Sequence, residues 1–554
     1  MNRVSVALIC LCHAACSSSS ISGAATGASS GGASSGSGST TGSPTGGAAP
    51  IAVTTFDNGP TRSGVYSDAA FMKSALMTLA QNGGLVPDPS FAPQVQASVY
   101  AQPLFLENGV KLLDGGLNDA LFIADEQNNV YAFDPVSGAN LWTANVGQYA
   151  RVTQLCYGDI DPIGITGTPV LDLTRHAIYL DAMVSVSNVP HHMVDALDLD
   201  TGSMLWSLDL DSFLPGFAAR AQNNRGGLLI VGDILYVPFG GHYGDCGSYH
   251  GRVVGIPLDN PVPASGGVFE MSTVGYAGAI WAPNGIASDG TSIFTVTGNG
   301  QLNPGSNKPA IPTWDAGLSE TVMRLPASTL QFSYQPSDYF VPNDWQSLDV
   351  ADLDFSSSGL TMFELPGAGS GHLIFAIGKT KAGWLLDRTA LGGLNVPDQP
   401  LAKLAGVATG DASGAMVAYT TPNGTYVGFN GACWTGKGAL GVLQVIPGSP
   451  PSLKEAFCVD EGGANKQDQA GSPIVTTSDG TDDAVVWALG ANAGVGTNPP
   501  AGGDNQLHAY DGDLGTEIIS STGMGKISHW QAPIVAKGSM YVAGNTQVYA
   551  FRLR

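Results

Sequence analysis

Few residues in this chain have the type and spacing that chemistry needs. His191 and His192 are adjacent, His242 and His250 flank Asp245-Cys246, and Asp349, Asp352 and Asp354 form an acidic set. Histidines and carboxylates held close together can bind a cation, but adjacent strand residues point to opposite faces, so His191 and His192 are not expected to chelate as a pair. The loop carrying His242, Asp245 and His250 is a better cation candidate, with a plain surface loop as the alternative. The acidic set has a calcium-like spacing but lacks the glycine and closing glutamate of an EF-hand. The chain after residue 50 has no Gly-x-Ser-x-Gly elbow, phosphate loop or Cys-x-x-Cys pair.

The elements that must position these residues follow an unusual leader. Val4 to Leu11 is apolar behind Asn2-Arg3 and too short to span a bilayer, as in an export signal. Residues 1–16 end at Ala14-Ala15-Cys16, like a bacterial lipoprotein signal with Cys16 acylated. Residues 17–50 are Ser/Gly/Ala-rich with almost no charge, a composition expected to stay disordered as a linker. The expected location is therefore exported, as an outer membrane lipoprotein facing the periplasm or the cell surface. Cys156, Cys246, Cys433 and Cys458 remain in the body, an even number suited to an oxidising compartment. Three pairings are open, and Cys433–Cys458 with Cys156–Cys246 is favoured. The net charge of −23, with no basic cluster, excludes nucleic acid as a partner.

The body repeats. Asp134-Pro-Val-Ser-Gly138-Ala-Asn-Leu-Trp142 and Asp198-Leu-Asp-Thr-Gly202-Ser-Met-Leu-Trp206 place Asp, Gly and Trp at the same offsets, each after an alternating run. They read as strand, tight turn and strand. Gln102-Pro103-Leu104, Thr168-Pro169-Val170, Ser472-Pro473-Ile474 and Ala532-Pro533-Ile534 open further strands, where proline is tolerated. Eight third-strand candidates can be counted: Val130–Asp134, Val194–Asp198, Val253–Pro257, Thr321–Leu325, Gly383–Asp387, Gly441–Val445, Leu507–Asp511 and Val548–Arg552. The chain ends directly after the last, so its fourth strand must come from upstream, and residues 91–98 are placed to supply it. The expectation is an all-β fold: one eight-bladed β-propeller of four-stranded antiparallel blades over residues 51–554, monomeric.

The Asp-x-x-Thr/Ser-Gly-x-x-x-Trp pattern, with phrases such as Phe56-Asp-Asn-Gly-Pro-Thr-Arg-Ser-Gly64, resembles the tryptophan-docking repeat of pyrroloquinoline-quinone (PQQ) propellers, the quinoprotein alcohol dehydrogenase-like superfamily. That resemblance implies a central site. Trp281 is similar to the tryptophan that stacks under the quinone, and Asn299 to a calcium ligand. Asp354 matches the catalytic base, Lys381 the basic residue at the quinone carbonyl, and Asp245 is a substitute for the calcium glutamate, because Cys246 stands where that residue would be. An adjacent Cys-Cys pair and a Cys-x-x-Cys-His haem motif are both missing. Two functions follow. The first is a lipid-anchored binding or scaffold module for a protein or polysaccharide, with no cofactor and the membrane met through the anchor alone. The alternative is a PQQ- and calcium-dependent dehydrogenase for alcohols or sugars.

Overall fold

The computed structural model describes residues 50–112, 115–259, 267–304, 311–367, 371–435, 440–459, 471–491 and 503–553. Cys16 and the leader and linker expectations lie outside them. Eight antiparallel sheets follow one another along the chain as the blades of a propeller. Blade 1 is built from Leu104–Lys111, Leu117–Ala124, Asn129–Phe133 and Asn140–Asn145, each strand pairing with the next. All eight expected third strands lie in third-strand position, from Asn129–Phe133 in blade 1 to Val548–Arg552 in blade 8. The four proline signals each precede an innermost strand: Leu104–Lys111, Val170–Asp172, Ile474–Thr477 and Ile534–Ala536. Strands buried on both faces explain the near-continuous apolar runs, as in Val485–Leu489 with all five residues buried.

The repeat's Gly and Trp act across a blade boundary. Trp142, at the end of blade 1, is buried, gives its indole N–H to Leu199 O at 2.8 Å, and lies on the backbone of Gly202 in the next blade's turn. A Cβ on Gly202 would come within 2.6 Å of the ring. Phe457 stands in the same relation to Gly515 of blade 7. Trp206 departs from the expected burial and is half-exposed, packing partly on Tyr179 of its own blade.

Blade 8 contributes three strands, Ile534–Ala536, Ser539–Ala543 and Val548–Arg552. Beside the last runs the stretch from Asp88 to Val95, with Asp88 N–H donating to Ala550 O, Val548 N–H to Pro93 O and Val95 N–H to Thr546 O. It is no regular strand, because Pro87, Pro89 and Pro93 each lack a ladder donor. Phe91 and Pro93 rest against Gly138 of blade 1, the geometry that Trp142 has on Gly202.

A strap not foreseen from the sequence closes one end of the central channel. Residues 52–68 meet the innermost strand of each blade, or a residue beside it, in turn. Ala52 pairs with Leu106 of blade 1, Leu171 N–H donates to Thr54 O, and the Thr55 hydroxyl donates to Leu228 O. Ser288, Met362, Ala418 and Val475 then donate to Pro60, Thr61, Ser63 and Gly64 carbonyls, and Gly538 N–H meets Asp68. Arg62 is fully buried at the centre of this strap and donates to five oxygens, including Ile286 O and Phe56 O at 2.8 Å.

Candidate functional site

The opposite end of the channel is open. A cavity of about 570 Å³ is walled by segments that precede or connect the inner strands of six blades, an arrangement only the axis can provide. Asp354 is its best-supported side chain. The residue starts the turn Phe355–Ser357, and Gly298 is needed for its approach, since a Cβ there would lie 2.3 Å from Asp354 Oδ1. The carboxylate accepts the Trp281 indole N–H at 3.2 Å, the Asn299 backbone N–H at 2.9 Å and the Lys379 ammonium at 2.7 Å. Burial works against the charge on Lys379, yet the Asp354 carboxylate beside it holds its pKa above the ordinary lysine value.

Trp281, Asp354 and Asp245 therefore share the cavity wall, whereas Asn299 and Lys381 do not line it. Lys379, not Lys381, reaches Asp354. Lys381 closes the turn from Gly378 with a left-handed φ of 59°, which aims its side chain at Asp411, 3.9 Å away. Asn299 sits behind the wall and turns its amide N–H to Asp352 at 2.5 Å, with its oxygen buried and unbonded. Asp245 lines the cavity and accepts the Tyr249 hydroxyl at 2.5 Å. Deeper still, Glu320 takes the Phe355 N–H at 2.7 Å. Burial, and then Asp354 and Asp349, push its carboxyl well above the usual range.

The residue that sequence reasoning missed is Arg225. Its guanidinium carbon lies 4.8 Å from the ring centres of both Trp281 and Trp530, a cation between two indoles. Its nearest carboxylate is Asp159 at 3.8 Å. Two loops at the mouth, carrying Tyr157 and Asp159 on one side and Tyr243 to Asp245 on the other, are tied by the Cys156–Cys246 disulfide. Cys433–Cys458 is the second pair, joining blade 6's outer strand to a loop of the same blade.

The histidine candidates lie apart. His242 donates its Nε2–H to Ala219 O at 3.1 Å, and burial drives its pKa down to about 3. His250 meets Thr273 O and Gly275 O. His191 and His192 face opposite ways, to Asp209 and to buried Asp181 respectively. Among the described residues the group of carboxylates and histidines spaced for a metal is His191, Asp209 and Asp211, away from the axial cavity.

No family model matches the chain, and no curated protein matches its sequence. Solved structures do match in fold. A quinohemoprotein alcohol dehydrogenase from Pseudomonas putida HK5 aligns with TM-score 0.60 and 12% identity, and one from Comamonas testosteroni with 0.57 and 14%. Each covers 91% of this chain and 80% of its own. A europium-containing methanol dehydrogenase aligns at 0.55 with 13% identity, covering 90% of this chain and 98% of its own. At such identities the likeness is one of fold.

Proposed function

We propose that this chain is an exported binding propeller that holds its ligand in the axial cavity. The observation that carries the reading is Arg225 clamped between Trp281 and Trp530. A quinone needs the face of Trp281 free and a cationic wall for its three carboxylates. Here the indole carries a guanidinium, and the wall has five aspartates against Arg225 and Lys379. Of the calcium ligands that the resemblance implies, Asn299 is absent from the cavity wall and gives its amide N–H to Asp352, while Asp245 on the wall accepts the Tyr249 hydroxyl. The fold survives readily when its chemistry changes.

Export is supported by the two cysteine pairs and by the leader's sequence pattern, with Cys16 as the point of lipid attachment. The quinoprotein alternative draws on the meeting of Trp281 with Asp354. Titrating the purified protein with PQQ and calcium, followed by absorption and calorimetry, separates the two. The expected result is no uptake at micromolar PQQ. Stoichiometric uptake with dye reduction, lost in Asp354→Asn, would overturn the binding reading.

A further inference from the structure

We infer that the axial cavity takes a saccharide bearing free ammonium groups, an amino-sugar oligomer; this rests on the ligand-binding reading above. Its volume of about 570 Å³ suits an oligosaccharide segment rather than an ion.

Three features of the wall point to that chemistry. The first is aromatic. Tyr157 and Tyr243 stand at the mouth with more than half their surface exposed, their rings stacked 6.0 Å apart at 28°. Gly244, at φ +89°, makes room for this, since a Cβ there would strike the Tyr157 ring at 2.5 Å. Flat rings presented to solvent are suited to the C–H faces of pyranose rings, and large exposed aromatics in a cleft are a binding signal.

The second is the mixture of donors and acceptors. Sugar hydroxyls both give and accept hydrogen bonds, so a saccharide site needs both kinds. Arg225 is only 10% exposed in its side chain, and its Nε is buried without a hydrogen-bond partner. Packed against two indoles, its guanidinium carries N–H groups that can donate to an incoming oxygen. Across the cavity Asp352 and Asp411 offer carboxylate oxygens.

The third is charge. Five carboxylates face one arginine and one lysine on the wall, within a chain of net charge −23. A field of that sign repels uronic acids and attracts ammonium groups, which also sit favourably on indole and phenol faces.

The test compares three tetramers in calorimetry at low ionic strength: fully deacetylated glucosamine, its N-acetylated counterpart and galacturonate. The glucosamine tetramer is expected to bind at least ten times tighter than the acetylated one and to weaken as salt is raised, with no binding of the uronate. Asp411→Asn and, at the exposed mouth, Tyr243→Ala should each weaken it several-fold with unchanged circular dichroism and melting temperature. Equal binding of the acetylated tetramer, or failure of all three to bind, would overturn the assignment. A protein that refuses PQQ and all three tetramers loses only the amino-sugar assignment, whereas PQQ uptake defeats the reading beneath it.

Discussion

Replacing Arg62 with methionine should unfasten the strap. The guanidinium is completely buried and satisfies Ile286 O, Thr55 Oγ1, Phe56 O, Gly227 O and Leu228 O at 2.7 to 3.3 Å, so one side chain ties the strap to blades 3 and 4. Methionine keeps much of the volume but strands these acceptors. Breaking a buried charged network from one side costs about 3–5 kcal/mol. Unfolding entropy near 2.1 cal/mol/K per residue gives about 1 kcal/mol/K for a body of about 500 residues, so the melting point should fall by about 3–5 °C. The local signature is sharper. Amides of Leu171, Ser288, Met362, Ala418 and Val475 all donate to strap carbonyls. Their hydrogen exchange should quicken together in Arg62→Met, while the outer strands stay protected. Unchanged exchange at those five amides, with a melting shift below about 1 °C, would refute the idea that Arg62 fastens the strap.

Trp142→Ala should cost about 3–5 kcal/mol, whereas half-exposed Trp206→Ala should cost about 1 kcal/mol; equal losses in thermal melts would sink the Gly-docking account. Burial pushes the Glu126 carboxyl up to about 8 from 4.5, against the Gly164 N–H that it accepts at 2.6 Å. The unfolded chain gives up that proton first, so stability should be full below about pH 4.5 and decline by up to about 4–5 kcal/mol as pH rises to about 8. Glu126→Gln should flatten that slope in melts across the range. Cys156→Ser opens a loop of 90 residues, which on the chain-entropy estimate removes about 4–5 kcal/mol. Limited proteolysis should then cut near Tyr157 and Tyr243 at the cavity mouth; an unaltered digestion pattern would mean that the disulfide does not hold those loops.

How far the fold was legible can be argued from single residues. Third strands were readable because alternation and the turn after them are local, as at Val130-Tyr-Ala-Phe before Asp134. The Trp142 to Gly202 contact was readable only as a repeated spacing, since its physical cause is a ring lying on the following blade's backbone. Where phenylalanine takes the same part, as at Phe457 on Gly515, the pattern gave no sign. The strap escaped for a related reason. Phe56 to Gly64 carries no periodicity of its own, because the carbonyls of Pro60, Thr61, Ser63 and Gly64 each pair with a different blade.

The candidate site was legible in part, and the two places where the sequence fell short have different physical causes. Strand logic puts Lys379 and Lys381 on one face, but the left-handed φ at Lys381 ends that alternation and sends the two ammonium groups to different carboxylates. Arg225 lies in Asn223-Asn-Arg-Gly-Gly227, where nothing but position distinguishes it. Position is nevertheless informative in a ring. Arg225 precedes its inner strand Leu229–Val231 by four residues, and Trp530 precedes Ile534–Ala536 by the same four. Tyr100 stands four before Leu104–Lys111 and packs 6.3 Å from the Trp530 ring. Radial symmetry delivers that register to the axis blade after blade, so residues without any motif can meet there. The axial wall of this chain therefore draws on two repeated offsets, four residues before the inner strand for Arg225 and Trp530, and six for Trp281 and Asp354, which precede Ala287–Ser288 and Leu360–Glu364.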